Sequence, residues 1–295
     1  LNGKHVPTEQ SDAVVPWWSF TKTVLAAAAL ALVRDGLIQL DDPVPEGPFT
    51  LRQMLKHQAG FADYSELEEY HAAVAAHHAP WSVAEMMERL DGTRLRYEPG
   101  AAWRYSNVGY LLVSKLIERV TGLRIEKALA HLVFLPLGLT HVRLATAPED
   151  LGEAYSAQGS LYHPGWVYHG LLVGPLSEST ILLNHLMTGQ FLPPFLLQEM
   201  QDAIVLGAAI PGRPWATPGY GLGLMIGGTK SGHLLTGHTG MGPGSVIAVY
   251  HCTSGPNLAT CSVFDMGGDQ GEVETEASER LLTTLGADMR VEISQ

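Results

Sequence analysis

Apolar residues recur at helical spacing through the first two thirds of the chain. Between Asn107 and Val120 they fall three and four positions apart, which predicts a helix with one broad apolar face that stops at Gly122. Thr21–Val33 is rich in helix formers and is followed by Gly36, a residue typical of helix C-terminal caps. Similar patterns and caps predict helices over Leu51–His57, Ile125–Phe134 and Glu178–Met187, and one from the capping residue Ser82 to Gly92.

The pattern changes in the last third, where short β-rich runs alternate with Gly and Pro turns. The runs are Gly219–Ile226, His233–Thr236, Ser245–Tyr250 and Leu258–Phe264, and a last helix is predicted over Glu272–Leu285. Strands followed by a packing helix favour an antiparallel sheet with helices on its faces. We therefore predict an α/β fold of the α+β type. Residues 1–43 and 205–295 form its α/β region, residues 44–204 form a mainly helical region, and the functional site lies between them.

Composition and charge narrow the classes of partner. The 295 residues are 46% hydrophobic and 16% charged, as in a folded globular protein. A net charge of -12 without a run of Lys or Arg argues against a nucleic-acid partner and against an anionic membrane surface. The longest apolar run, Val24–Val33, is about half the length that spans a bilayer, so we expect no transmembrane segment.

The two cysteines, Cys252 and Cys261, are too few for a disulfide framework. They flank a turn-rich stretch symmetrically, so a hairpin would bring them near each other. We favour two buried thiols and leave a disulfide open, because the compartment decides between them. The chain begins at Leu1 without an initiating Met or a signal-like segment, so its localisation stays open.

The first candidate for chemistry is the pair Ser19 and Lys22. At the start of a helix these residues lie one turn apart and share a face. A lysine amine that burial keeps neutral can accept the hydroxyl proton, and the helix N-terminus suits an oxyanion. The same spacing also fits an N-cap serine beside a solvated lysine.

Two further motifs have similar dual interpretations. Tyr105 lies just before the helix that is predicted to begin at Asn107. A tyrosine in this position can relay a proton, and an asparagine can bind a substrate amide. The simpler interpretation is a turn tyrosine with an N-cap asparagine. His238-Thr239-Gly240 follows a strand-like run, and its glycine would let a substrate lie against the strand. A Gly-rich hairpin is the simpler alternative there.

In this order and spacing, the three motifs resemble those of the serine β-lactamase and D,D-peptidase superfamily, in particular its class C β-lactamase-like, penicillin-binding-protein-like branch. The resemblance runs from Trp17 to about Leu285. It includes the segments Leu51–Gly60, Trp103–Tyr110, Gly174–Ser177 and Gly219–Gly223. It implies a β-lactamase/transpeptidase-like fold and acyl transfer to water through an acyl-enzyme, with no metal and no cofactor.

The resemblance also implies a role for each motif residue. Ser19 would be the nucleophile, and Lys22 would accept its proton or hold Tyr105 in the right state. Tyr105 would act as general base and then as general acid. Which of the two is the base stays open, since a coupled pair need not allow one answer. Asn107 would orient Lys22 and the acyl group.

The remaining roles fall to the third motif. The backbone N–H groups of Ser19 and Met241 would form the oxyanion hole. His238-Thr239-Gly240 would bind substrate, with Thr239 lining the carboxylate end of the site. The histidine stands where many β-lactamases have lysine, which favours an esterase or a D-aminopeptidase. Because an unperturbed histidine has a pKa of about 6.5, we expect attraction for a substrate carboxylate to fade between about pH 6 and 8.

The start of the chain departs from the family pattern. The family has one or two strands before the nucleophile helix, but 18 residues precede Ser19 and Pro7 and Pro16 lie among them. We therefore expect these strands to be shortened or missing. Leu258–Phe264 would then be a sheet edge, covered by a second copy or by Leu1–Val15.

The other motifs in the chain do not indicate a competing catalytic or metal site. Lys230-Ser231-Gly232 also matches the third motif but falls at an expected hairpin turn. No Gly-x-Ser-x-Gly elbow occurs, and the Ala-rich stretch with His71, His77 and His78 offers no further metal ligands.

The predicted function is hydrolysis of an ester or amide bond in a small molecule, of esterase type. The alternatives are a D-amino-acid peptidase or amidase, a true β-lactamase and, in another class, a non-hydrolysing penicillin-binding-like sensor. The substrate and a possible homo-oligomeric state stay open.

Overall fold

The computed structural model describes residues 1–4, 11–152 and 162–292, with side chains up to residue 286. Its helices are α1 (Thr21–Arg34), α2 (Leu51–Leu55), α3 (Glu68–Ala75), α4 (Val83–Arg89), α5 (Asn107–Thr121), α6 (Ile125–Leu129), α7 (Leu176–Met187), α8 (Pro194–Gln201) and α9 (Gln270–Glu292). Short 3-10 helices cover Trp18–Phe20, Tyr64–Glu66, Pro148–Leu151 and Pro164–Trp166, and a π-helical turn covers Ala130–Phe134. Among the described residues, no helix is both long and apolar enough to cross a membrane.

The strands form two antiparallel sheets. A small sheet has the order β1-β3-β2, with β1 Val14–Pro16, β2 Arg143–Leu144 and β3 Leu172–Pro175. A six-stranded sheet runs in chain order as β4 (Ile204–Val205), β5 (Trp215–Tyr220), β6 (Met225–Thr229), β7 (Leu234–Gly242), β8 (Ser245–Ser254) and β9 (Asn257–Met266). The predicted α+β fold, an antiparallel sheet with helices on its faces, is confirmed.

Helix α1 is the centre of the apolar core. Its residues from Thr21 to Leu32 are all buried, and the small side chains of its Ala26–Ala29 run let neighbouring elements approach closely. It contacts α5 and the π-helical turn on one side and β7 on the other. Because this helix continues directly from the 3-10 turn Trp18–Phe20, the core holds Ser19 between the helical region and the sheet.

The sheet carries helices on both faces. Helix α7 packs on β8 and β9 through the core that contains Ile247 and Val249. Helix α9 packs on the opposite face, against Val246, Ala248 and Tyr250. Helix α7 therefore rests on the sheet, although its residues fall inside the interval 44–204 predicted as the helical region. The proposed boundaries at residues 43/44 and 204/205 do not separate two cores, since one apolar cluster spans both parts.

Most predicted caps occur, but one predicted strand is wrong. Thr50 and Ser82 cap α2 and α4, and Gly122 ends α5 with a φ of 68°. The run Gly219–Ile226 instead forms a hairpin, with β5 ending at Tyr220 and β6 starting at Met225. Its turn contains Gly223 at a φ of 72°, and a Cβ there would lie 2.4 Å from the Cβ of Ala26. The turn thus needs glycine for both its conformation and its contact with α1.

The described residues 1–4 meet the six-stranded sheet at its β9 edge. Strand β9 is the edge, and the backbone N–H of Asn2 donates to the carbonyl of Leu258 at 2.9 Å. The predicted covering by Leu1–Val15 is seen at this end of β9, and residues 5–10 lie outside the described part. Strand β1 pairs with β3, so no described strand before α1 joins the six-stranded sheet.

Cys252 and Cys261 are free thiols on the β8–β9 hairpin. The register sets Cys252 opposite Ala259 and Cys261 opposite Tyr250, so the two cysteines are not cross-strand partners. The favoured interpretation of two thiols is confirmed, with Cys252 buried and Cys261 half-buried.

A buried carboxylate ties α9 to the sheet. Glu274 is fully buried, pairs with Arg213, and accepts hydrogen bonds from the Trp215 indole at 3.0 Å and the Thr239 hydroxyl at 2.6 Å. We predict that Glu274→Gln lowers the free energy of unfolding by about 2–4 kcal/mol, because it leaves the Arg213 charge without its counter-ion.

The matched control is Glu276→Gln on the same helix, where the pair with Arg280 is exposed. It should change the free energy of unfolding by less than about 1 kcal/mol. Urea unfolding of both variants measures the difference, and equal losses would contradict a special role of the buried pair.

Candidate active site

The third motif brings a strand against the backbone of Ser19. A Cβ added to Gly240 of β7 would lie 2.7 Å from the Ser19 nitrogen and 2.6 Å from the Trp17 carbonyl oxygen. Only glycine therefore allows β7 to run this close to Ser19. The other candidate motif, Lys230-Ser231-Gly232, lies at the turn between β6 and β7, as expected.

Trp18 fixes the turn that presents Ser19. It has a φ of 42°, a left-handed conformation that is rare for a bulky residue. Its indole lies over Gly242, where an added Cβ would be 2.4 Å from the ring, and its Nε1 donates to the Ser245 hydroxyl at 2.9 Å. The β7–β8 hairpin thus holds Trp18, and through it Ser19, in a conformation that the local chain disfavours.

Ser19, Lys22 and Tyr105 meet at one point. The Lys22 amine lies 3.1 Å from the Ser19 hydroxyl oxygen, and the Tyr105 hydroxyl lies 2.9 Å from the same oxygen. Lys22 is fully buried. Burial lowers the pKa of its amine to about 7, although the Asp63 carboxylate opposes this shift. A good part of the Lys22 population is therefore neutral near pH 7 and able to accept the proton of Ser19.

The pKa of Tyr105 is shifted upward, whereas that of Lys22 is shifted downward. Burial raises the pKa of its phenol well above the ordinary value, and the hydrogen bond with Ser19 offsets this only in part. Its ring packs on the imidazole of His57, with centroids 4.3 Å apart. The phenol therefore keeps its proton at neutral pH, so in the resting site Lys22 is the stronger candidate base and Tyr105 a hydrogen-bond donor.

Asn107 is held by a carboxylate that the sequence analysis missed. Its backbone N–H donates to Asp63 at 2.6 Å, and its side-chain NH2 donates to both Asp63 oxygens at 3.1 Å. The amide oxygen is thereby turned to Lys22, whose amine donates to it at 2.7 Å. The cap of α5 is Ser106, so Asn107 is free for this contact.

Two buried histidines were also missed. His57 accepts a hydrogen bond from the Ser106 backbone at 3.1 Å, and His169 lies 3.3 Å from the Lys22 amine through its Nε2. His57 falls within the segment Leu51–Gly60 that carried part of the resemblance, which was the one signal for it. For His169 the sequence carried no signal, since it stands outside every motif and every predicted element.

The third motif places its side chains differently from the prediction. His238 faces the site, but the Thr239 hydroxyl lies on the α9 face of the sheet, 2.6 Å from both Glu274 and the Tyr250 hydroxyl. Alternate strand residues face opposite sides, so Thr239 cannot share a face with Gly240 beneath Ser19. The prediction that the Thr239 side chain lines the carboxylate end of the site is therefore wrong.

The strand register sets the direction of the Met241 backbone. The pair Gly242–Ser245 closes the β7–β8 hairpin, and in an antiparallel pair the hydrogen-bonding residues alternate. Met241 therefore directs its N–H away from β8, and the pairing of β7 with β6 extends only to Gly237. This N–H is left on the side of β7 that carries no neighbouring strand, as an oxyanion hole requires.

The imidazole of His238 is neutral, and both of its nitrogens form hydrogen bonds with other residues of the protein. Its Nδ1 lies 2.7 Å from the Thr239 carbonyl oxygen, which can only accept, so Nδ1 carries the hydrogen. Its Nε2 then accepts from the Tyr220 hydroxyl at 3.0 Å. Burial, and next the Lys22 charge, lower its pKa to about 3. The expectation that His238 loses a charge between pH 6 and 8 is wrong, because the ring is already neutral there.

Comparison with known proteins shows what the chain is similar to. A family model described as Beta-lactamase matches residues 2–260. The D-aminopeptidase of Cereibacter sphaeroides is 30% identical over 275 residues, which are 88% of this chain and 49% of that protein. The lovastatin esterase of Penicillium rubens is 29% identical over 171 residues, 48% of this chain and 41% of the esterase. The chain thus matches less than half the length of these two proteins.

A solved structure extends the likeness. The D-stereospecific amidohydrolase from Streptomyces sp. superimposes with a TM-score of 0.74 at 25% sequence identity, over 92% of this chain and 86% of that chain. The likeness in fold therefore extends over most of the chain.

The neutral state of His238 generates a prediction. The ratio of kcat/KM for a neutral p-nitrophenyl ester to that for a cephalosporin should stay constant from pH 6 to pH 8, because His238 has no charge to lose in this range. Parallel pH profiles of the two substrates measure it. A ratio that changes with a midpoint near pH 6.5 would show that His238 takes up a proton and attracts the carboxylate.

Proposed function

The chain belongs to the Beta-lactamase family, and on this premise we propose that it is a serine hydrolase that cleaves ester or amide bonds through an acyl-enzyme on Ser19. We also assign it to the class C β-lactamase-like branch, with Ser19 and Lys22 as the Ser-x-x-Lys pair. The observation that supports this best is the convergence of the Lys22 amine and the Tyr105 phenol on the Ser19 oxygen, at 3.1 and 2.9 Å.

Acylation follows from the protonation states of these groups. The Ser19 oxygen attacks the substrate carbonyl carbon as its proton passes to the neutral Lys22 amine. The carbonyl oxygen gains negative charge, and the N–H groups of Ser19 and Met241 donate to it. Asn107 holds the Lys22 amine in place while its charge changes.

Departure of the leaving group needs a proton donor. The Tyr105 phenol, which burial keeps protonated, gives its proton to the leaving oxygen or nitrogen, and the Lys22 ammonium restores the phenol. Water then attacks the acyl-enzyme as the same groups work in reverse, releasing the acid and returning the proton to Ser19.

The substrate class follows from the absence of a cation at His238. The imidazole is neutral and already hydrogen-bonded to Tyr220 and Thr239, so this position offers no charge to a substrate carboxylate. We therefore favour small neutral esters, as the notable likeness to an esterase also suggests. The second candidate substrate is an amide of a D-amino acid, supported by the similarity to the D-aminopeptidase and the D-stereospecific amidohydrolase.

A non-hydrolysing sensor is less well supported. A sensor need not keep a base for deacylation, whereas here Ser19, Lys22 and Tyr105 form a complete set. A homo-oligomer stays a prediction, with strand β9 as the edge that a second copy would meet.

The first test concerns the nucleophile. Ser19→Ala should lower kcat for p-nitrophenyl acetate by about 10³-fold or more, while circular dichroism and thermal unfolding stay unchanged. Ser231→Ala, at the exposed turn between β6 and β7, is the matched control and should keep full activity. A fluorophosphonate should label Ser19, and labelling of another serine with Ser19 unmodified would overturn the proposal.

The second test concerns the base. The pKa of Lys22 is lowered to about 7, so kcat/KM for a neutral ester should rise with pH through this value and level off above it. Asp63 raises this pKa, so Asp63→Asn should move the rise to lower pH. Glu66→Gln removes a nearby exposed carboxylate that pairs with Arg104, and it should leave the profile unmoved. A profile that Asp63→Asn leaves in place would contradict Lys22 as the titrating base.

A further inference from the structure

The Lys22 amine has three polar partners in the buried site. They are the Ser19 hydroxyl at 3.1 Å, the Asn107 amide oxygen at 2.7 Å and the His169 Nε2 at 3.3 Å. The rings of Tyr105 and Tyr110 close the rest of its surroundings, 5.0 and 5.7 Å from the nitrogen. The hydrogens and the lone pair of the amine must therefore be shared among three atoms.

The role of Asn107 in this set is fixed. Its NH2 group is committed to the Asp63 carboxylate, so its oxygen can only accept from Lys22. One hydrogen of a neutral amine is then placed, while its second hydrogen and its lone pair remain. If the second hydrogen goes to His169, the lone pair is left for the Ser19 hydroxyl. If His169 offers no acceptor, the amine is free to turn its lone pair away.

We propose that His169 is a positioning residue whose Nε2 accepts a hydrogen bond from Lys22 and so directs the lone pair of the neutral amine to Ser19. The proposal rests on the proposed function, since it concerns the base of that reaction. After proton transfer the ammonium has three hydrogens for the same three acceptors. The amine thus keeps its partners in both protonation states and needs no rotation during the transfer.

The surroundings of His169 favour its neutral, accepting form. Burial, and next the Lys22 charge, lower the pKa of His169 well below its ordinary value. The titratable groups that face Lys22 across the site are Asp63, His57, His238, Tyr105 and Tyr110. Asp63 is the carboxylate among them, and it bonds Asn107 rather than His169.

A packing role alone does not account for His169. With Nε2 as acceptor its Nδ1 carries the hydrogen, yet Nδ1 is buried without a hydrogen-bond partner among the described residues. The contact of Nε2 with the Lys22 amine is therefore the polar contact that the described residues give this imidazole, and an apolar side chain would fill the same space without a buried unpaired nitrogen. An imidazole at this position is explained by the contact of its other nitrogen with Lys22.

Three variants separate positioning from packing. His169→Gln places an amide oxygen about where Nε2 lies, His169→Asn places it one bond short, and His169→Phe keeps a ring without an acceptor. The measurements are kcat and KM for a neutral p-nitrophenyl ester over pH, and the rate of fluorophosphonate labelling of Ser19. Thermal unfolding checks that each variant is folded.

We expect His169→Asn and His169→Phe to lower kcat and the labelling rate by ~10- to 100-fold, with KM within about 3-fold of wild type. Loss of an acceptor disfavours the ammonium, so their acid limb should move to lower pH. His169→Gln should restore the wild-type rate to within about 5-fold. If His169→Phe does not fold, the two amide variants, which differ only in the reach of the oxygen, decide the matter.

Rates and an acid limb equal to wild type in His169→Asn would overturn the inference, and so would equal losses in His169→Gln and His169→Asn. A wild-type protein that is not labelled at Ser19 would instead reject the proposed function. A labelled wild type with an unchanged labelling rate in His169→Asn would reject the role of His169 alone.

Discussion

The buried amine of Lys22 is the constraint on which the site depends. An isolated ammonium in an apolar interior is strongly disfavoured, and here the nearest carboxylate, Asp63, reaches Lys22 only through Asn107. The amine is therefore poised between its neutral and charged forms. The Ala-rich α1 supplies the dry surroundings, because its small side chains let α5 and β7 close around the nitrogen. The packing of the core thus determines the basicity of the Lys22 amine.

A second constraint is steric and acts on the backbone of Ser19. The 3-10 turn at Trp18–Phe20 lies against β7 with no room for a Cβ at Gly240 or Gly242. Trp18 adopts a left-handed φ in this turn, which is energetically unfavourable for a bulky residue. The hydrogen bond from its indole to the Ser245 hydroxyl helps to offset that cost. The result is that the backbone of Ser19 and the strand that carries Met241 are packed directly against each other, as the proposed pair of oxyanion donors needs. Such rigidity is what an oxyanion hole requires, since donors that must reorganise stabilise charge less.

Local chemistry explains which features the sequence could predict. Caps at Thr50, Ser82 and Gly122 depend on residues within one turn, and the structure has all three. The run Gly219–Ile226 was predicted as one strand, although it turns at Gly221–Leu224. Its glycines interrupt the alternation of apolar and polar residues, so the pattern did not show where one strand ends and the next begins. The direction of Thr239 depends on the register of β7 and β8, which only the closed hairpin fixes. Asp63 and His169 act on partners 44 and 147 residues away, so no local pattern could reveal them.

The three buried histidines favour their neutral forms and leave Lys22 as the group whose charge changes. His57, His169 and His238 all have lowered pKa values, with burial as the main cause and Lys22 as the next. A proton on any of them would repel a proton on Lys22, so among these four groups the charge that changes near neutral pH is that of Lys22. A permanent cation at the His238 position would favour the neutral amine further but would also bind anionic substrates. The neutral imidazole leaves the basicity of Lys22 to burial and Asp63, and it leaves the substrate pocket without a fixed positive charge. That combination suits an acyl donor that brings no charge of its own.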